Sequence, residues 1–207
     1  MSRVLTEKLV RDAVKHLRGA DAVMSRLVAE HPACPLAKRE YRPFQTLAGS
    51  IISQQLSAKA ADTIERRVAA LVPMPFQAEG FLAVPVEALR AAGLSQAKAR
   101  YIRELAERVC DGRLKLDALP ELEDEKAVEI LCELPGIGRW TAEMFLIFGL
   151  KRPNVLSVGD AGLQRAARLL YGSKTKAEAL LERVAGPWAP YRSVASWYLW
   201  RHLDAAV

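Results

Sequence analysis

Histidine and cysteine are scarce in this chain, with three of each among 207 residues. Cys34, Cys110 and Cys132 are odd in number and far apart, which excludes a disulfide framework and offers no metal-ligand spacing; reduced, mostly buried thiols are expected. His16, His31 and His202 are isolated in the sequence and form no metal constellation. No apolar run approaches the ~20 residues that cross a bilayer, so no membrane-spanning helix is expected. The N-terminus, Met1-Ser2-Arg3 followed by a polar helix-like stretch, lacks the apolar core of a secretory signal, and a cytoplasmic location is the expectation that follows. Alternating strand-like runs, internal repeats and low-complexity segments are missing as well.

What is present is enough to fold. Apolar residues make up 51% of the chain, sufficient for the core of one domain or of two small lobes. The net charge is +6, which favours a polyanionic partner, and Lys and Arg are spread along the chain, so binding by a basic tail is excluded. Apolar residues recur at helical spacing almost throughout, which predicts an all-α fold. Thr6 is the expected cap of a first helix with Leu9, Ala13, Val14 and Leu17 inward, and a second runs from about Asp21 to Glu30. A helix from Pro43 buries Phe44, Leu47, Ala48 and Ile51; the polar joint Ser53-Gln54-Gln55 separates it from one with Ala60, Ile64, Val68 and Leu71 inward. A short helix runs from Pro85 to Gly93, and Ser95 caps one carrying Ile102, Leu105, Ala106 and Val109, closed by Gly112. Pro120 and the acidic cluster after it mark the start of a helix that reaches Leu134. Helices are then expected from Arg139 to Leu150, from near Asp160, from Thr175 to Ala185, and from Pro190 to His202.

Two local features carry chemistry. In Leu131-Cys132-Glu133-Leu134-Pro135-Gly136-Ile137-Gly138-Arg139-Trp140-Thr141-Ala142, a very short turn with two glycines joins two helices. Gly136 and Gly138 permit backbone conformations and close approaches that a Cβ obstructs, and their amides, at the start of a helix, suit a phosphate. Taken alone, such a turn reads first as a tight connection between two packed helices. About twenty residues on stands Val155-Leu156-Ser157-Val158-Gly159-Asp160-Ala161-Gly162-Leu163, where Asp160 reads first as an N-cap. A helix N-terminus also favours a nearby negative charge, so capping and chemistry are compatible.

The hairpin segment resembles the helix-hairpin-helix signature of the base-excision DNA glycosylase (HhH-GPD) superfamily, and the Val-Gly-Asp run resembles its catalytic motif. The stretch Ile51-Ile52-Ser53-Gln54-Gln55-Leu56-Ser57-Ala58-Lys59-Ala60-Ala61 is similar to the family's wedge-bearing region. The resemblance runs from about Pro43 to Trp200. It implies two helical lobes with an active cleft between them: residues 43–150 form one, and residues 1–42 pack with residues 151–207 to form the other. It implies that Asp160 is the catalytic carboxylate, since departure of a base from its sugar develops positive charge that an anion stabilises. Lyase-active members carry a nucleophilic lysine after the hairpin, where this chain has Trp140, so cleavage without strand scission is expected. Members with an iron-sulfur cluster have four cysteines near the C-terminus, and none follows Cys132 here.

Both absences point to the alkylation-repair branch, the 3-methyladenine DNA glycosylase II type, in a compact form without the additional N-terminal α/β domain. The implied partner is double-stranded DNA containing alkylated bases, met by a monomer. By match, Trp140, Met144 and Trp200 line the base pocket, with Met144 where some relatives have a tyrosine; Trp188 and Trp197 are read as core. Gln55, or failing that Leu56, is the wedge that fills the gap left by an everted base. Gly136, Gly138, Arg139, Ser57, Lys59 and Arg165 are expected at the DNA backbone, with Lys151 and Arg152 as further phosphate candidates. Main-chain carbonyls of Cys132, Leu134 and Ile137 are implied to hold a monovalent cation, Na+ or K+; no other cofactor is expected. The main rival is a non-catalytic helix-hairpin-helix DNA-binding module.

Overall fold

The computed structural model describes residues 4–172 and 174–205. Its elements among these residues are α-helices and two 3-10 turns. No helix among them is long and apolar enough to cross a membrane. The chain divides into two compact units, one made of residues 1–40 with 146–207 and one of residues 41–145.

The first unit opens with α1 (Glu7–Ala20) and α2 (Ala22–Glu30). Thr6 Oγ1 accepts from the Leu9 amide at 3.2 Å and an Asp21 carboxylate oxygen from the Met24 amide at 2.8 Å, the short-side-chain capping that lets each helix start where it does. On α1 the buried stripe is Val10, Ala13 and Leu17, with Leu9 and Val14 flanking it half-buried. Asp21 does more than cap. Its carboxylate also accepts from Tyr171 Oη at 3.0 Å and from Trp188 Nε1 at 3.1 Å, tying the junction of α1 and α2 to the C-terminal segment. Burial and the facing Asp21 push the Tyr171 hydroxyl well above its ordinary value, which keeps it a neutral donor. Trp188 is fully buried and Trp197 half-buried, the latter edge-on to Tyr198. The unit is completed by α10 (Ala161–Tyr171), α11 (Ala177–Val184) and α12 (Arg192–Ala205); α12 packs on α1, α2 and α10, and α10 also on α11.

The second unit holds α3 (Pro43–Ser53), α4 (Ala58–Ala69), α5 (Ala78–Ala83), α6 (Val86–Ala91), α7 (Gln96–Cys110), α8 (Asp124–Cys132) and the start of α9 (Arg139–Phe148), whose last turn enters the first unit. Pro43 at the first position of α3 suits a site where no amide partner is needed. Phe44, Leu47, Ala48 and Ile51 are buried as their spacing requires, and Ser57 and Ser95 cap α4 and α7. Three expectations are corrected. Leu71, placed inward by periodicity, lies beyond the end of α4 and is exposed. Pro120 does not begin a helix: it lies inside the 3-10 turn Leu116–Glu121, and α8 starts only at Asp124. Only Cys34 is a buried thiol; Cys110 and Cys132 each occupy the last turn of a helix and are exposed.

Candidate functional site

The hairpin is built by closing α8 early. Glu133 N–H reaches Ile130 O at 3.3 Å and Leu134 N–H reaches Leu131 O at 3.1 Å, the tightened bonds that satisfy carbonyls at a helix end. Ile137 N–H then returns to Leu134 O at 3.1 Å, and the buried Leu134 and Ile137 side chains anchor the turn from below. Gly136 sits at φ +81°, and a Cβ there would lie 2.2 Å from the Tyr101 ring, so both backbone and packing demand glycine. Gly138 differs: a Cβ would meet nothing within 4 Å, which leaves its surface open to an approaching molecule. The two glycines therefore serve different ends, one facing the protein and one facing out.

The polar joint Ser53-Gln54-Gln55 is fastened to this hairpin. Gln54 Nε2 donates to Gly136 O at 2.8 Å and to Thr141 Oγ1 at 3.3 Å. Lys98 Nζ donates to Ile52 O at 2.8 Å and to Gln54 O at 2.6 Å, capping the C-terminal end of α3 with a positive charge. Partial burial lowers the Lys98 pKa. Beyond this clamp Gln55 turns into the left-handed region at φ +57°, a conformation that costs a non-glycine residue roughly 1 kcal/mol, and Gln55 and Leu56 stand exposed at the tip. Ser57 follows as the α4 cap and Lys59 is exposed in the first turn. Arg139 has its guanidinium forked onto Glu125, at 2.6 and 3.1 Å, and bonded to Glu143 at 3.0 Å. Trp140 is 46% exposed, a large apolar surface for a tryptophan to leave in water, whereas Met144 is buried.

Asp160 belongs to the first unit, where several elements converge on its carboxylate. Its N–H donates to Ser157 O at 3.1 Å, which turns the chain into α10, and Gln164 Nε2 steadies the preceding loop by donating to Val158 O at 2.9 Å. Asp160 Oδ1 accepts from the Leu163 amide at 2.7 Å and from Trp200 Nε1 at 2.9 Å. Only 7% of the residue is exposed. Gly162 makes this approach feasible, because a Cβ would lie 3.1 Å from Asp160 Oδ1 and 3.3 Å from Trp200 Cδ1. The Trp200 indole in turn lies against Phe148, centroids 5.7 Å apart and planes inclined at 32°, and the Arg39 guanidinium lies 5.1 Å from the Phe148 ring centre. The carboxylate thus meets the positive end of a helix, two N–H donors and an aromatic wall.

Other candidate residues are distributed unevenly. Arg165 is exposed on α10. Lys151 is half-buried at φ +54°, with its carbonyl accepting from the Leu5 amide at 2.8 Å. Arg152, expected at a phosphate, is corrected: it is 3% exposed, so its side chain belongs to the interior. The carbonyls of Cys132, Leu134 and Ile137 all lie in or beside the turn, where Leu134 O accepts from Ile137 N–H, and a carbonyl has two lone pairs. Neutral main-chain oxygens of this kind suit a monovalent cation.

Sequence reasoning missed Gln54, Lys98, Tyr101, Phe148 and Gly162. Gly162 had a signal, standing two residues past the candidate carboxylate, but the others are contacts at long sequence separation.

The chain is thus an all-helical protein with a solvent-facing glycine hairpin between two helices in one unit and a helix-capping carboxylate against an indole in the other. The HhH-GPD superfamily base excision DNA repair protein model matches residues 48–190, and the chain belongs to that family. It is 32% identical over 209 residues to DNA-3-methyladenine glycosylase 1 of Schizosaccharomyces pombe, covering 94% of this chain and 90% of the relative. Among solved structures, a DNA-3-methyladenine glycosidase from Bacillus halodurans superposes with a TM-score of 0.79 at 42% identity, over 91% of this chain and 88% of that one. The S. pombe 3-methyladenine DNA glycosylase in complex with abasic DNA gives 0.83 at 31% identity, over 93% and 97% of the two chains.

Proposed function

We propose that this chain is a monofunctional DNA glycosylase that removes alkylated bases, of the 3-methyladenine and 7-methylguanine type, from double-stranded DNA and leaves an abasic site in an uncut strand. The observation that carries the reading is Asp160, a nearly buried carboxylate fixed by Leu163 N–H and Trp200 Nε1 at the head of α10. The choice of 3-methyladenine is supported by the names of the similar proteins above.

A purine alkylated on a ring nitrogen is cationic and needs little protonation to depart. As the N-glycosidic bond breaks, its electron pair goes to the base, which leaves neutral, and the sugar takes up positive charge. Asp160 stabilises that charge in a site shielded from water, where electrostatic interactions act most strongly. Water, oriented by Asp160, then forms the new bond to the sugar carbon and releases its proton to the solvent. The aromatic faces of Trp140 and Trp200 attract the cationic base by cation–π interaction, about 0.5–2 kcal/mol for each face. Trp140 offers no amine to form a Schiff base, which favours hydrolysis over strand cleavage.

Gly136 and Gly138 amides and the α9 N-terminus hold a phosphate, Ser57, Lys59 and Arg165 reach neighbouring phosphates, and Gln55 or Leu56 fills the gap in the stack. A monovalent cation on the carbonyls of Cys132, Leu134 and Ile137 would supply a positive centre for the same phosphate. The protein acts as a monomer without an iron-sulfur cluster.

The test is chromatographic analysis of bases released from methylated duplex DNA by the native chain and by Asp160→Asn. Release by the native chain and not by the variant is expected. Equal release by both would remove Asp160 from its role, and binding without release by either would indicate a non-catalytic binding module.

A further inference from the structure

Glu30, His31 and His202 come together where the C-terminal ends of α2 and α12 meet. His31 is the C-cap of α2, its N–H bonded to Leu27 O at 3.1 Å, and His202 lies in the last turn of α12. Both positions are at helix C-termini, where the backbone carbonyls and the helix dipole favour a cation. His31 Nε2 and His202 Nδ1 face each other at 3.4 Å, with the rings inclined at 72°. That separation is long for a hydrogen bond between two nitrogens. It is the spacing of two imidazole ligands on one tetrahedral ion, because bonds of about 2.0–2.1 Å place the nitrogens roughly 3.3–3.4 Å apart. A Glu30 carboxylate oxygen completes a set in which the ligand atoms all lie within 4.8 Å of one another.

We propose that Glu30, His31 and His202 form a binding site for a divalent transition-metal ion of the zinc class, with a fourth position left to water, and that the ion clamps the end of α2 to the end of α12. Two imidazoles and a carboxylate are a ligand set that zinc accepts in three-ligand sites. Arg201 opposes a cation here, whereas Glu30 favours one. The Arg26–Glu30 ion pair, at 3.7 Å and largely exposed, is weak enough for Glu30 to turn to the metal.

The experiment is titration of the full, chelator-treated chain with Co2+, followed by competition with Zn2+. One equivalent should bind with the visible spectrum of tetrahedral cobalt and be displaced by zinc. At free zinc a hundredfold above Kd the thermal midpoint should rise by about 5 to 10 °C. His31→Gln and His202→Gln should each abolish the spectrum and the shift, while His16→Gln, whose ring bonds Pro187 O instead, should leave both intact. Glu30→Gln alters only an exposed side chain and should weaken binding at least tenfold, which supplies the test if a histidine variant fails to fold. Absence of saturable binding by the native chain, or equal binding by the native and the three ligand variants, would overturn the proposal.

Discussion

At the scale of single residues, the two groups of site residues depend on atoms that are absent as much as on those present. Gly136 has φ +81° and the Tyr101 ring where a Cβ would go. Gly136→Ala should therefore cost about 1 to 3 kcal/mol of stability in urea unfolding, and a cost under about 0.5 kcal/mol would show that the turn relaxes freely. Asp160 depends on Trp200 for one of its two donors to Oδ1. Trp200→Phe retains an aromatic ring and removes the donor, and should lower the single-turnover rate of base release roughly ten- to a hundredfold with the fold intact. An unchanged rate would mean that the indole N–H contributes nothing to the carboxylate. The candidacy of Asp160 as the catalytic carboxylate came from the resemblance of the Val-Gly-Asp run, and as a helix cap it was legible from its own neighbours. Its bond to Trp200 was not, because the partner is forty residues away and nothing local in either segment encodes the pairing.

At the scale of elements, the joint between α3 and α4 and the hairpin between α8 and α9 behave as one device, because Gln54 bonds to Gly136 O and Thr141 Oγ1 while Lys98 holds Ile52 O and Gln54 O. Gln54→Ala should weaken duplex binding and slow excision together, by about five- to thirtyfold for the loss of one or two bonds to neutral partners. Gln55→Ala should slow excision more from stable base pairs than from mismatches, since unstacking costs less in a mismatch; equal slowing on both would count against a wedge role. Helix starts at Thr6, Asp21, Ser57 and Ser95 could be read directly, since capping involves only neighbouring residues. The short α5 went unread, as its six residues follow Gln77, which makes no capping bond. Pro120 misled for a related reason: proline suits the start of an α-helix, but it fits a 3-10 turn equally well.

For the whole molecule, helical periodicity and the absence of alternating strands were enough for the fold class, because burial of one apolar face per helix is what the pattern records. They could not supply junctions such as Asp21 with Tyr171 and Trp188, which lie 150 and 167 residues away. Nor could they unite His31 with His202, so histidines scattered in sequence stand together in the fold. Asp21→Ala removes a helix cap and leaves one half-buried donor, Tyr171, and one fully buried donor, Trp188, without their acceptor; a loss of about 2 to 4 kcal/mol in urea unfolding is expected. A loss below about 1 kcal/mol would show that water replaces the carboxylate without cost. The most direct test of the catalytic account is a single-turnover assay on a duplex carrying one alkylated purine, resolved on denaturing gels with and without alkali. The account predicts abasic product that breaks only after alkali and none from Asp160→Asn; strand cleavage without alkali, or undiminished product from the variant, would contradict it.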